Sequence, residues 1–251
     1  MNVDWTPMRR MLGTLRAENH RLAIWWRDDD AVTPTTALDQ LNTLSKHLDI
    51  PVHIAVIPAG ATPGLAAFTT ENPNLIPLVH GWRHHNNAPA DDKKSEFGSP
   101  RPAGITELAK GQRRMRDLFG ASYLPMFVPP WNRLDPSFFT ALQDAGYLGV
   151  STYTPRSARN AAPNLRQINT HIDPINWRGN RGLKEPDALI SETVDLLRAR
   201  LDGMQDTTEP LGYLSHHLVH TPQVWEFSQR YLTELLEGGA EVQPIGPLLE
   251  T

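Results

Sequence analysis

The sequence predicts an α/β fold, a single-domain, distorted (β/α) barrel of seven to eight strands spanning residues 1–251. Three observations carry that expectation. Short β-rich apolar runs alternate along the chain with segments of helical spacing. Several of the runs are apolar almost throughout, as strands covered on both faces are. The chain has 251 residues, an ordinary size for one such barrel.

The elements follow in order. The first strand is read in RLAIWW (Arg21–Trp26). After it, Thr33-Pro34 supplies a capping residue and a first-turn proline, and Leu38, Leu41, Leu44 and Leu48 share one helix face. VHIAVIP (Val52–Pro58) and LIPLVH (Leu75–His80) are the second and third strands. A polar, Pro/Gly-rich stretch, Asn87–Gly104, follows; loops this long in compact domains are lids, binding loops or disordered segments. YLPMFVP (Tyr123–Pro129) is the fourth strand, and Asp135-Pro136 opens a helix that Gly146 ends. LGVSTY (Leu148–Tyr153), RQINTHI (Arg166–Ile172), LGYLSHH (Leu211–His217) and EVQPIG (Glu241–Gly246) complete the strands. Ile190, Val194, Leu197 and Leu201 form one further helical face. Val224, Phe227, Tyr231 and Leu235 form another, opened by Thr221-Pro222.

Composition excludes several function classes. With 24 basic and 28 acidic residues and no basic stripe, nucleic acid is not an expected partner. The absence of cysteine removes thiolate catalysis, zinc ribbons and disulfides. The first twenty residues lack the apolar run of a secretory signal, and no apolar stretch approaches a membrane span, so a soluble cytoplasmic protein is expected.

The unusual polar residues collect at strand ends. RDDD (Arg27–Asp30) follows the first strand, HGWRHHN (His80–Asn86) the third, and PPWNR (Pro129–Arg133) the fourth. HIDPINW (His171–Trp177) and SHHLVH (Ser215–His220) follow the sixth and seventh. In a barrel these ends share one rim, where active sites are built. Three adjacent carboxylates repel unless a cation or hydrogen-bond donors compensate. Asp28–Asp30 are therefore either an N-cap cluster or a set containing one metal ligand and one general base. His80 and His84 are four apart and can share one face of a turn, with His85 pointing elsewhere. Two histidines and a carboxylate from another strand end would make an open metal site. Strand alternation lets only one of His216 and His217 look into such a site, where a histidine suits general acid work.

The order of these clusters resembles the polysaccharide deacetylase superfamily, the NodB-homology group of carbohydrate esterase family four, over about Ala23–His220. WRDDD is similar to the family's T-F-D-D-G, His80-Gly81-Trp82-Arg83-His84 to H-[ST]-x-x-H, and Val128-Pro129-Pro130-Trp131 partly to R-x-P-[YFW]. Asp173 with Trp177 resembles the fourth motif at altered spacing, and Leu214-Ser215-His216 the fifth, L-x-H. The resemblance implies a NodB-type, TIM-like barrel with Asp28 as general base, Asp29, His80 and His84 as metal ligands, and His216 as general acid oriented by Asp173. It implies a divalent ion, zinc first among the candidates. Trp131, Trp82, Pro130, Asn132 and Arg133 would line the substrate site. The third motif's arginine, which holds the base, is missing; Arg27, Arg83 and Arg133 are the possible substitutes.

The implied activity is hydrolysis of the amide of an N-acetylated sugar or related compound, by water activated at the metal. Two rivals stand beside it. Asp28-x-Asp30 satisfies the loose D-x-D pattern of a metal-dependent glycosyltransferase, and an inactive carbohydrate-binding or scaffold relative would keep the barrel without the chemistry.

Overall fold

The structure, a computed structural model, describes residues 3–250. Helix α1 (Thr6–Ala17) precedes β1 (Ala23–Ala31), and α2 (Thr36–Leu48), β2 (Val52–Val56), α3 (Pro63–Glu71) and β3 (Leu75–His80) follow. After the long irregular stretch come α4 (Pro102–Phe119), β4 (Met126–Val128), α5 (Phe139–Asp144) and β5 (Gly149–Val150). A short excursion, β6 (Asn160–Ala162) and β7 (Leu165–Gln167), leads to α6 (Pro186–Leu201) and β8 (Leu211–Ser215). Finally α7 (Pro222–Glu237), β9 (Glu241–Val242) and α8 (Gly246–Leu249) close the chain.

The sheet has nine strands in the order β6-β7-β5-β4-β3-β2-β1-β8, with β9 also on β1. Every pairing is parallel except β6 with β7, as strand–helix–strand connections require. The ladder is not closed into a regular barrel. The irregular segment 168–172 spans the gap, with Ile168 N–H donating to Val150 and both His171 and Leu214 exchanging backbone bonds across to the other edge. The expected strands at 148–153 and 166–172 are thus much shorter, because this segment bends from one edge to the other instead of pairing along its length.

The sheet separates two apolar layers. Ile24 and Trp26 of β1 pack outward with the helices, while Trp25 packs inward with Ala55, Leu78, Met126, Val128 and Ile168. Caps follow the expected chemistry with one displacement. Thr221 and Asp135 accept the expected backbone bonds, from Val224 and Ser137, but α2 is capped by Thr35 rather than Thr33. Among the described residues no helix is long and apolar enough to cross a membrane.

Candidate active site

The first strand runs farther than its apolar run. Arg27–Asp30 lie inside β1, not in a loop after it, and they are not the cap of α2. Alternation along β1 sends Trp25, Arg27 and Asp29 inward and Ile24, Trp26 and Asp28 outward. The parity then breaks. Asp28 is opposite Ile54 and Ala31 opposite Val56, so one extra residue bulges from β1, and Asp30 adopts φ +78°. Aspartate tolerates this left-handed backbone better than most residues, and a bulge re-aims its side chain. Asp29 and Asp30 therefore both face the rim.

Asp28 goes the other way. It is fully buried, accepting from Ser215 Oγ at 2.6 Å and His217 N at 2.9 Å, with His217 Nδ1 at 2.5 Å. Burial alone would raise its carboxyl, but the His217 charge and hydrogen bond hold it below the ordinary range. The expected base at Asp28 is thus turned away from the rim and engaged in a core network. The same turn dissolves the D-x-D pattern, since Asp28 and Asp30 do not converge on one point.

Arg27 is the buried centre of the rim. Its Nη1 donates to Ser151 Oγ at 2.7 Å and to the Ser151 and Thr152 carbonyls at 3.2 Å. Its Nη2 donates to Asn132 Oδ1 at 2.7 Å and to Asp29 Oδ2 at 3.1 Å, and Nε lies 2.9 Å from Asp29 Oδ1. Of the three candidate arginines, Arg27 is the one that grips an aspartate. That aspartate is Asp29, which the resemblance had assigned to the metal.

The carboxylate beside the two histidines is Asp30. His80 Nε2 is 3.1 Å from Asp30 Oδ1 and His84 Nε2 is 3.4 Å from it. Ligand atoms of these three residues all lie within 4.8 Å of one another. Where the resemblance implies Asp29 beside the two histidines, the structure places Asp30 there. His80 Nδ1 is 3.0 Å from the Val128 carbonyl, which only accepts, so Nδ1–H donates to it and Nε2 is the nitrogen turned to Asp30. The Nε2 atoms of His80 and His84 thus flank one carboxylate oxygen, Asp30 Oδ1. The donor set fits a divalent ion. Without one, burial would lower His80, but the charge of Asp29 and the hydrogen bond of Asp30 outweigh it and raise the pKa. His84 is lowered, first by burial and then by His80. Burial would raise Asp30, yet His80 holds it well below the carboxylate range.

His216 faces Asp29 from the turn just after β8, with Nε2 3.9 Å from Oδ2. Its Nδ1 is buried without a hydrogen-bond partner. The ring stands edge-on to Trp177 at 4.7 Å, and Trp177 Nε1 donates to Asp173 Oδ2 at 2.7 Å. The expected pairing of Asp173 with His216 is therefore indirect: Asp173 holds the indole that the histidine packs against. Trp131 and Asn132 both adopt positive φ, +56° and +57°, which brings the Trp131 ring to 4.3 Å from His84 and Asn132 onto Arg27. Pro130 is buried beneath Gly81. Trp82 packs against the outer core instead of the rim, with Arg83 over its ring. Arg133 turns to the Lys94 carbonyl and lines a groove of about 740 Å³ with Asp91 and Asp92.

Ser151 and Glu96 were not expected. Ser151 belongs to a short buried strand end, and Glu96 lies in the irregular stretch 87–104, where no periodicity marks a residue as inward-facing.

No protein-family model matches the chain, and no curated protein matches it in sequence. Solved structures do share its fold. A candidate polysaccharide deacetylase from Mycobacterium smegmatis superposes with a TM-score of 0.66 at 14% identity, covering 92% of this chain and 90% of that one. A family 4 carbohydrate esterase from Streptomyces lividans, in complex with acetate, gives 0.58 at 14% identity, covering 91% and 94%. A family 4 pseudoenzyme from Bacillus anthracis gives 0.60 at 16% identity, covering 91% and 66%. The fold is that of the NodB-type deacetylases, with an open, mostly parallel sheet.

Proposed function

We propose that this chain is a divergent NodB-type deacetylase, a hydrolase that removes the acyl group from an N-acylated sugar or a closely related amide. The observation that carries the reading is the Asp30–His80–His84 cluster beside an aspartate, Asp29, clamped by a buried arginine. Two imidazoles and one carboxylate suit zinc among the common divalent ions. A divalent ion there supplies Lewis-acid polarisation of the carbonyl and acidification of water.

The remaining work falls to side chains. Asp29 takes the proton from the water whose oxygen bonds to the amide carbon. Arg27 holds that carboxylate in place at the rim through Nε and Nη2. His216 delivers a proton to the leaving nitrogen as the carbon–nitrogen bond breaks, giving a free amine and a carboxylic acid. The Trp131 ring offers an apolar face against which a sugar can stack. A complete acid, base and ligand set favours an active enzyme over a scaffold relative.

Acetate release from a panel of N-acetylated sugars, with and without chelator, is the test, run on wild type, Asp29→Asn and Asp30→Asn. Asp30→Asn should lose bound metal. Asp29→Asn should keep it and lose turnover by about 100-fold or more, the contribution of a general base. Metal loss in Asp29→Asn with retention in Asp30→Asn would reverse the roles. Metal-loaded wild type that hydrolyses none of the panel would favour the inactive reading.

A further inference from the structure

The segment after β3 curls tightly, with φ of +56° at both Gly81 and His84. The curl turns three consecutive backbone N–H groups to one point, the carboxylate of Glu96. Arg83 N donates to Oε1 at 2.8 Å, and Trp82 N and His84 N donate to Oε2 at 3.1 and 3.2 Å. Glu96 is 2% exposed and has no ion-pair partner among the described residues. A buried carboxylate is costly unless its charge is answered, and here converging amides answer it in a backbone nest.

Glu96 does not float in its loop. Phe97, next to it, is fully buried against Phe127 and Phe138 at 5.2 and 5.4 Å, and its carbonyl accepts from Asp135 N. The Glu96 carbonyl accepts from Asn87 Nδ2 and Arg101 Nε. The stretch 87–104 is thereby anchored at the residue that reaches back to the curl.

Gly81 and Glu96 are mutually dependent. A Cβ at position 81 would lie 2.2 Å from Glu96 Oε2 and 2.6 Å from the Pro130 ring. The position that carries Ser or Thr in the motif this segment resembles is therefore bare here, and a carboxylate from a distant loop occupies the space.

We infer that Glu96 is the positioning residue of the metal centre: it fixes the 81–84 curl and so sets where the His84 imidazole stands relative to His80 and Asp30. The inference rests on the metal-site reading above. His80 is placed independently, by β3 and the Val128 carbonyl, so losing Glu96 frees His84 selectively. In Glu96→Gln the amide presents one oxygen and one NH2 to three donors, so the nest cannot be satisfied.

Zinc affinity by chelator competition, with thermal melting of the metal-free protein, tests this. Glu96→Gln should weaken zinc binding by about 10- to 100-fold, the range for groups that orient ligands. Leu189→Ala, a core truncation on α6 away from the rim, should lower the melting temperature and leave zinc affinity unchanged. Should Glu96→Gln fail to fold, Gly81→Ala serves instead, since it denies the carboxylate its place and should weaken zinc similarly. Wild-type zinc affinity in either folded variant would overturn the inference while leaving the metal site standing. So would an equal loss of affinity in Leu189→Ala. Wild-type protein that binds no divalent ion would overturn the metal-site reading, and this inference with it.

Discussion

Replacing Arg27 by Met keeps a long side chain but strands Asp29, which is 2% exposed. The guanidinium is fully buried and answers Asp29, Asn132, Ser151 and Thr152 together. Breaking a buried pair from one side costs about 3–5 kcal/mol. The orphaned acceptors at Asn132 and Ser151 add about 1 kcal/mol each. Urea unfolding of metal-free Arg27→Met measures the deficit, and a second change, Asp29→Asn, should recover about 3 kcal/mol by removing the stranded charge. A deficit below about 1 kcal/mol, or one that the second change leaves untouched, would refute the claim that Arg27 answers the charge of Asp29.

Two further outcomes are expected. His53 is fully buried with Nδ1 on the Trp26 carbonyl and Nε2 unpartnered, and burial pushes its pKa down to about 4. Its unfolded form, with a pKa near 6.5, binds the proton first, so about 3 kcal/mol of stability should be lost as pH falls from 6.5 to 4; urea midpoints of His53→Phe should lack that slope. Asp28→Asn should destabilise the fold by about 3 kcal/mol through its network with His217 and Ser215, yet leave metal content unchanged, and metal loss in that variant would return Asp28 to the rim.

Local patterns were the legible ones. The pair His80 and His84 can be read because their spacing of four along one short segment lets both imidazoles reach one point. The α/β class and parallel pairing follow from alternating apolar runs and helical faces, whereas the closed barrel they suggest is left open. Two things were out of reach. Arg27, Arg83 and Arg133 are equivalent on paper, and only the inward parity of β1 makes Arg27 the one that meets Asp29. Glu96 reaches the 81–84 curl through a loop anchored by Phe97, and an irregular stretch carries no period from which to infer which side chain points inward.

The distinct places of the three aspartates have a single physical cause, the parity of β1 and the bulge that breaks it. With T-F-D-D-G laid on Arg27-Asp28-Asp29-Asp30-Ala31, one residue later than the lettering of WRDDD suggests, the aromatic position falls on Asp28. That position faces the helices, where Trp26 also packs, so an aromatic is what the parity of β1 calls for. This chain has a carboxylate there and needs His217 and Ser215 to satisfy it. The two positions after it, Asp29 and Asp30, then point to the rim only because the bulge breaks alternation between them. Three identical neighbours thus acquire three environments: a core network, a buried arginine, and a pair of imidazoles. Identity of residue type hid the register, since any two adjacent letters of DDD match the motif equally well, and the parity of Trp25 and Trp26 is the feature that breaks the tie.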